Sequence, residues 1–309
     1  MDISLFLRAA LQAGTPLLFA TLGEILTEKS GNLNLGVEGL MLLGAVGGFA
    51  AGLSTGSAFV AIIVAMLAGA LGGLLYAFLT VTLQTNQVVT GLALTIFGTG
   101  ISGYAGRFLM GDIIPRSIRT TFKSKAIPLL SDIPFVGDLL FNQNIFVYAG
   151  VLLAIFMALY LTKTKQGLNL RSVGENPSAA DASGIPVTSY KYIHIIIGSA
   201  ISALGGAYLS LVHVPAWQEN ITAGRGWIAV ALVIFSMWSP YKAIFGAYLF
   251  GGLDIIGFRL QQTDIAISQY LIGMFPYLIT IVVLIISSIF KNRQQAPNSL
   301  GVSYFREDR

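Results

Sequence analysis

The chain has 309 residues, 55% of them hydrophobic and 10% charged, with a mean hydropathy of +0.76. Soluble domains carry about 25% charged residues, so this composition excludes a soluble enzyme or binding domain and describes a polytopic membrane protein. The net charge of +4 is spread over connections and tail, which points to membrane orientation and away from nucleic acid, and the absence of cysteine excludes disulfides and thiolate chemistry.

Met1 is followed by Asp2 with no basic n-region, so no cleaved signal peptide is expected. A membrane span needs about 20 apolar residues. Nine candidates run near 4–23, 35–53, 57–82, 87–106, 144–162, 191–212, 226–239, 241–258 and 270–290. Between the first two lies a polar break from Glu24 to Gly39, with Glu24, Glu28, Asn32, Asn34 and Glu38. Hydrocarbon tolerates such backbone only where protein or a wet cavity surrounds it. The stretch reads as a helix broken at or near membrane depth, or else as a cytoplasmic hairpin.

The longest connection, 107–144, contains Pro115, Pro128 and Pro134. In the loop after the fifth span, Asn176 is placed to cap a short helix that starts at Pro177 and ends by Gly184 and Pro186. The seventh and eighth segments are short and parted by Ser239-Pro240, which makes the seventh a candidate re-entrant element. The polar tail from Lys291 to Arg309 is expected to be mobile. Basic residues Lys163, Lys165, Arg171 and Lys191, with those of the tail, place the fifth loop and the C-terminus in the cytoplasm. Arg107, Arg116, Arg119, Lys123 and Lys125 then fall outside, against the same rule, as does the N-terminus.

Residues 10–39 and 196–226 share an order of small-residue helix, polar break and glycine-flanked restart. Five spans separate them, so they would lie inverted, as in transporters whose substrate path runs between two repeats. No phosphate-binding loop, no His-Glu-x-x-His and no relay of intramembrane acids is legible, and His194 and His213 form no metal-ligand pattern. Asp254 reads as a helix-end residue at a wet vestibule.

Three stretches carry a resemblance. Ser30-Gly-Asn-Leu-Asn-Leu-Gly-Val-Glu-Gly39, Asn86-Gln-Val-Val-Thr-Gly91 and Gly174-Glu-Asn-Pro-Ser-Ala-Ala-Asp-Ala-Ser-Gly-Ile-Pro186 are similar to the membrane subunit of ABC importers for simple sugars and nucleosides. Asn34 with Gly36-Val37-Glu38 resembles the nucleoside branch. The resemblance covers residues 10–290 and implies an all-α, type II importer fold with inverted repeats and broken helices. It implies a permease domain over 1–290, a coupling loop at about 164–190 and a cytoplasmic tail at 291–309.

The implied partners are a cytoplasmic ABC ATPase holding ATP and Mg, a second and non-identical permease, an extracytoplasmic solute-binding protein and the bilayer; no cofactor belongs to this chain. The implied ATPase-coupling residues are Arg171, Gly174, Glu175, Asn176, Ala179, Ala180, Asp181 and Gly184. Polar and aromatic chemistry suited to ribose hydroxyls and bases nominates Asn32, Asn34, Glu38, Gln87, Thr90, Phe97, Trp217, Glu219 and Arg225 for the substrate path. Each has a structural reading too: Asn32 and Asn34 as helix caps, Trp217 as an interface-belt residue. The rival function is a stand-alone secondary carrier or channel.

Overall fold

Small polar side chains set where the long apolar runs begin. Ser57 Oγ accepts from the Val60 N–H (3.5 Å), Asn86 Oδ1 from Val89 (3.0 Å) and Asn144 Oδ1 from Val147 (3.1 Å), each satisfying an orphan donor of a first helical turn. The computed structural model describes residues 3–126, 128, 131, 136–260, 274, 278, 281, 282, 285 and 296–306. Its helices are α1 (Ile3–Glu28), α2 (Val37–Thr55), α3 (Ala58–Ala77), α4 (Gln87–Gly106), α5 (Arg116–Phe122), α6 (Val136–Phe141), α7 (Ile145–Lys163), α8 (Lys165–Glu175), α9 (Pro177–Ala182), α10 (Val187–Tyr208), α11 (Arg225–Phe235) and α12 (Pro240–Leu260). Five-residue π turns continue α3 (Phe78–Thr82) and α10 (Leu209–His213).

Six helical stretches among the described residues are long and apolar enough to cross a membrane: Ile3–Glu28, Val37–Thr55, Ala58–Thr82, Gln87–Leu109, Ile145–Lys163 and Val187–His213. They answer the first six expected segments. The seventh is the 11-residue α11, too short to cross alone. The eighth, α12, is 21 residues long but carries Lys242, Asp254 and Arg259 and falls outside the apolar set. The ninth, 270–290, lies almost wholly outside the described residues. Six of the nine expected segments are thus long apolar helices among the described residues.

Helix α1 is packed between α10 and α12, while α10 also packs on α2 and α3. The arrangement is reciprocal: α3 lies on α10 as α12 lies on α1, and α2 lies on α10 as α11 lies on α1. The crossings are set by glycine. At Gly23 and Gly198 each residue faces the other's carbonyl with no room for a Cβ. On the other side of α1, Gly14 lies against the Ala247 carbonyl and Gly251 against the Gly14 nitrogen and the Ala10 carbonyl, equally without room. Backbones approach this closely only where side chains are absent.

Three connections differ from the sequence reading. The stretch 107–144 contains α5, α6 and a two-residue ladder pairing Lys125 with Gln143 and Ala126 with Asn142; Ile118 and Phe122 bury into the core beside Phe146. The coupling loop is two helices and not one, because Thr164 Oγ1 accepts from the Gly167 N–H (3.0 Å) and starts α8, whose Leu170 and Val173 are fully buried. Between α11 and α12 the chain turns through Met237 (φ 52°) and Trp238 (φ 53°), two non-glycine residues in the left-handed region.

The tail was expected to be mobile. Its described part, 296–306, is instead seated: Ser299 is buried, and Ala296 and Leu300 pack on the main core. Long-range hydrogen bonds to α8 and α9 supply what its polar composition conceals.

Candidate functional site

Helix α1 ends where Gly31 turns left-handed (φ 83°) and the N–H groups of Ser30 and Gly31 close back on Thr27 and Glu28. The chain then runs without helix through Asn32, Leu33 and Asn34 before α2 starts at Val37. Three helices hold it. The Asn34 N–H donates to Glu24 Oε1 on α1 (3.0 Å), and the Leu33 N–H to Gln87 Oε1 on α4 (2.8 Å). Tyr76 Oη on α3 donates to the Leu33 carbonyl (2.6 Å), and Thr95 Oγ1 on α4 to that of Leu35 (3.0 Å).

Within this cradle Asn34 Oδ1 accepts from the Gly36 N–H (2.8 Å), so part of its amide does act as a local cap. The remainder is unused. Asn34 Nδ2, Gln87 Nε2 and both amide atoms of Asn32 are buried and find no partner among the described residues. Buried polar atoms without partners cost roughly 1–3 kcal/mol each, so these three side chains, two within three residues of the break and one on the facing helix, hold spare hydrogen-bonding capacity at one place. Thr90, one turn along α4 from Gln87, is satisfied by the Asn86 carbonyl (2.8 Å) and Thr85 Oγ1 (2.9 Å).

A second group forms where α2 meets α11. Glu38 Oε1 accepts from Thr222 Oγ1 (2.6 Å) and the Gly224 N–H (2.8 Å), and Oε2 from the Gly226 N–H (2.5 Å). Its carboxylate thus serves the N-terminus of α11, where negative charge and orphan N–H groups complement each other. Arg225 Nη2 lies 3.2 Å from Asp254 Oδ2, pairing the two half-buried side chains, and its Nη1 donates to the Thr222 carbonyl (3.4 Å).

The remaining nominated residues follow α4 away from Gln87. Phe97 is half exposed; the exposed Glu219 carboxylate lies near Gly103; and Trp217 is buried against Gly106 and Phe49. The structure therefore brings Asn32, Asn34, Gln87 and Thr90 together, and Glu38 with Arg225, and leaves Phe97 further along α4, with Trp217 and Glu219, from the stretch before α11, beside that helix's far end.

Two acids that the sequence reading assigned to the break, and an indole it did not nominate, form a further buried contact. Helix α1 runs through Glu24 to Glu28, and both carboxyl groups are buried; Trp238 Nε1, beyond α11, donates to Glu28 Oε2 (2.5 Å). Their spacing of four, one helical turn, at the end of an apolar run was the available signal.

On the coupling loop, Asn176 Oδ1 caps α9 through the Ala179 N–H (3.0 Å) with Pro177 in first position, and Gly184 (φ 80°) follows its end. Ala179 is exposed, whereas Ala180 is buried with Val173 and Val187. Gly174 sits on the Lys29 carbonyl with no space for a Cβ, and Arg171 and Glu175 line a cleft shared with Lys29 and Trp238. Burial there holds the Lys29 ammonium below its usual range, with the Glu175 carboxylate acting in the opposite sense. Asp181 accepts from Tyr304 Oη (2.8 Å).

Comparison with known proteins bears on the whole chain. A family model described as branched-chain amino acid transport system / permease component matches residues 6–284. TsgC13 of Haloferax volcanii, named for glucose ABC transport, is 36% identical, with 97% of each chain covered. The guanosine ABC transporter permease protein NupQ of Bacillus subtilis is 33% identical over 99% of this chain and 98% of its own. The nucleoside ABC transporter permease protein NupC of Lactococcus lactis is 32% identical, with 94% of each covered. Among solved structures, an inward-facing metal-chelate type ABC transporter superposes with a TM-score of 0.52 at 14% identity, covering 91% of this chain and 84% of that one, which is a likeness of fold alone.

Proposed function

The chain belongs to the branched-chain amino acid transport system / permease component family, and from that premise we propose that it is one membrane subunit of an ATP-driven ABC importer for nucleosides. It carries solute and makes or breaks no bond. Residues 1–290 form the permease domain, the loop at about 164–190 meets a cytoplasmic ATPase that holds ATP and Mg, and 291–309 is a cytoplasmic tail. A second, non-identical permease and an extracytoplasmic solute-binding protein complete the importer in the cell membrane. The reciprocal packing of α1–α3 and α10–α12 supports reading them as inverted repeats, each with a helix interrupted at its break. Access then alternates as ATP binding moves the coupling helix.

The observation that carries the substrate class is the unpaired amide group of Asn32, Asn34 and Gln87. It offers donors and acceptors together. Ribose hydroxyls and base edges supply both in return, and a site with unmatched buried groups rejects solutes that cannot pair them. The aliphatic side chain of a branched amino acid cannot. The half-exposed ring of Phe97 adds a face suited to a base.

The test is uptake into proteoliposomes by the assembled importer with ATP, comparing guanosine, glucose and leucine. Guanosine uptake is expected. Preference for glucose or leucine would reassign the substrate, and uptake without ATP or partners would return the stand-alone carrier. Orientation is tested separately, because the cysteine-free chain accepts single cysteines without background. A cysteine at Lys165 should label from the cytoplasmic side and one at Lys123 from outside; the reverse pattern would invert the topology.

A further inference from the structure

The tail makes contacts that the transport path does not require. The Ser299 N–H (3.0 Å) and Oγ (2.6 Å) both donate to the Gly174 carbonyl, at the junction of α8 and α9. Two residues on, the Gly301 N–H reaches the Gly31 carbonyl (3.3 Å), where α1 gives way to the break. The Asn298 N–H donates to Glu175 Oε2 (3.3 Å), Tyr304 Oη to Asp181 Oδ2 (2.8 Å), and Gln84 Nε2, in the α3–α4 turn, to the Tyr304 carbonyl (3.0 Å). Arg306 Nε lies 3.2 Å from Asp181, but this arginine is largely exposed and such pairs contribute little. Ser299 is the buried centre of the set: its hydroxyl fills the space where a Cβ on Gly31 would lie.

One short segment thus touches both ends of the coupling helix α9, the last turn before the amide-bearing break and the turn that leads into Gln87. Gly174 already rests on the Lys29 carbonyl, so α8, the end of α1 and the tail form a three-sided joint. A displacement of α9 without the tail would be taken up by bending of the polar 174–186 segment. With the tail bonded at both Gly174 and Gly31, the same displacement moves the break.

We propose that residues 296–306 are a positioning element of the transport cycle, a tie that makes the coupling loop and the break after α1 move as one body. This rests on the importer reading above. Removing the tie leaves ATP hydrolysis intact and disconnects it from solute movement. A physical coupling of this kind is carried by a bonded, two-ended element and not by proximity.

The experiment compares the complete importer with one whose permease ends at residue 295, measuring co-purification with the ATPase, ATP hydrolysis and nucleoside uptake in the same proteoliposomes. The truncated complex is expected to assemble and hydrolyse ATP while uptake per ATP falls about tenfold or more, within the range of a coupling free energy. Undiminished uptake per ATP would overturn the proposal. Should the truncated subunit fail to assemble, the full-length double variant Ser299→Ala with Tyr304→Phe decides instead. It keeps the chain and deletes the hydroxyl bonds of Ser299 to the Gly174 and Val173 carbonyls and of Tyr304 to Asp181, so a reduced uptake per ATP supports the tie and an unchanged value rejects it. Absence of ATP-dependent uptake by the unaltered complex would remove the importer reading itself and is distinguished by that control.

Discussion

The breaks after α1 and before α11 face the same problem and solve it differently. Each must bring a polar, non-helical stretch to the start of a helix inside a mostly apolar molecule. Before α11, one carboxylate from the other half of the chain, Glu38, takes up Thr222 and the N–H groups of Gly224 and Gly226. After α1 the backbone is satisfied by Glu24, Gln87, Tyr76 and Thr95, and the amides of Asn32, Asn34 and Gln87 retain unused capacity. The break before α11 leaves Trp217 Nε1 and Arg225 Nε unpartnered among the described residues, whereas the break after α1 leaves four amide atoms, donors and an acceptor together. The proposed substrate contact rests on that larger surplus.

The largest effect should come from removing the carboxylate that closes the α11 break. Glu38→Ala leaves three donors without their acceptor and should destabilise the subunit by about 3 kcal/mol or more, read as a fall in thermal unfolding temperature in detergent. Stability near wild type would show that α11 does not depend on Glu38. Next is the link between the two regions: Trp238→Phe strips the indole donor from the buried Glu28 and should cost about 1–3 kcal/mol by the same measurement.

A smaller cost is expected at Asn34, whose Oδ1 caps Gly36: Asn34→Leu should lose about 1 kcal/mol along with transport. The smallest stability change belongs to Asn32, whose amide has no partner to lose. Asn32→Leu should unfold within about 0.5 kcal/mol of wild type yet take up nucleoside about tenfold more slowly or worse. Wild-type uptake by that variant would sink the contrast between the breaks, while a large loss of stability would show that both are structural.

Local signals were legible and distant ones were not. The start of α9 was read from Asn176, because a cap and its donor lie three residues apart, and Ser57, Asn86 and Asn144 start α3, α4 and α7 by the same spacing. A break between Glu24 and Gly39 was legible, but helix runs through Glu24 and Glu28 and resumes at Val37, so of its five polar residues only Asn32 and Asn34 lie in the non-helical part. The partners of Glu38 lie 184 to 188 residues away, and the Glu28 indole donor 210 away; no spacing rule reaches them. Helix α8 was overlooked because its polar residues outnumber the two apolar side chains it buries. The tail was misjudged for a related reason, since composition reports solubility and says nothing of a partner surface elsewhere in the chain. Ala180 illustrates the same limit, being part of the motif and yet turned inward.

The turn through Met237 and Trp238 has a mechanical consequence. Left-handed backbone costs an L-residue about 1–2 kcal/mol, and here two such residues follow one another without a glycine between α11 and α12. The second of them also carries the indole that donates to Glu28, so one strained turn joins the end of α1 to the start of α12, while the opposite end of α11 is held by Glu38.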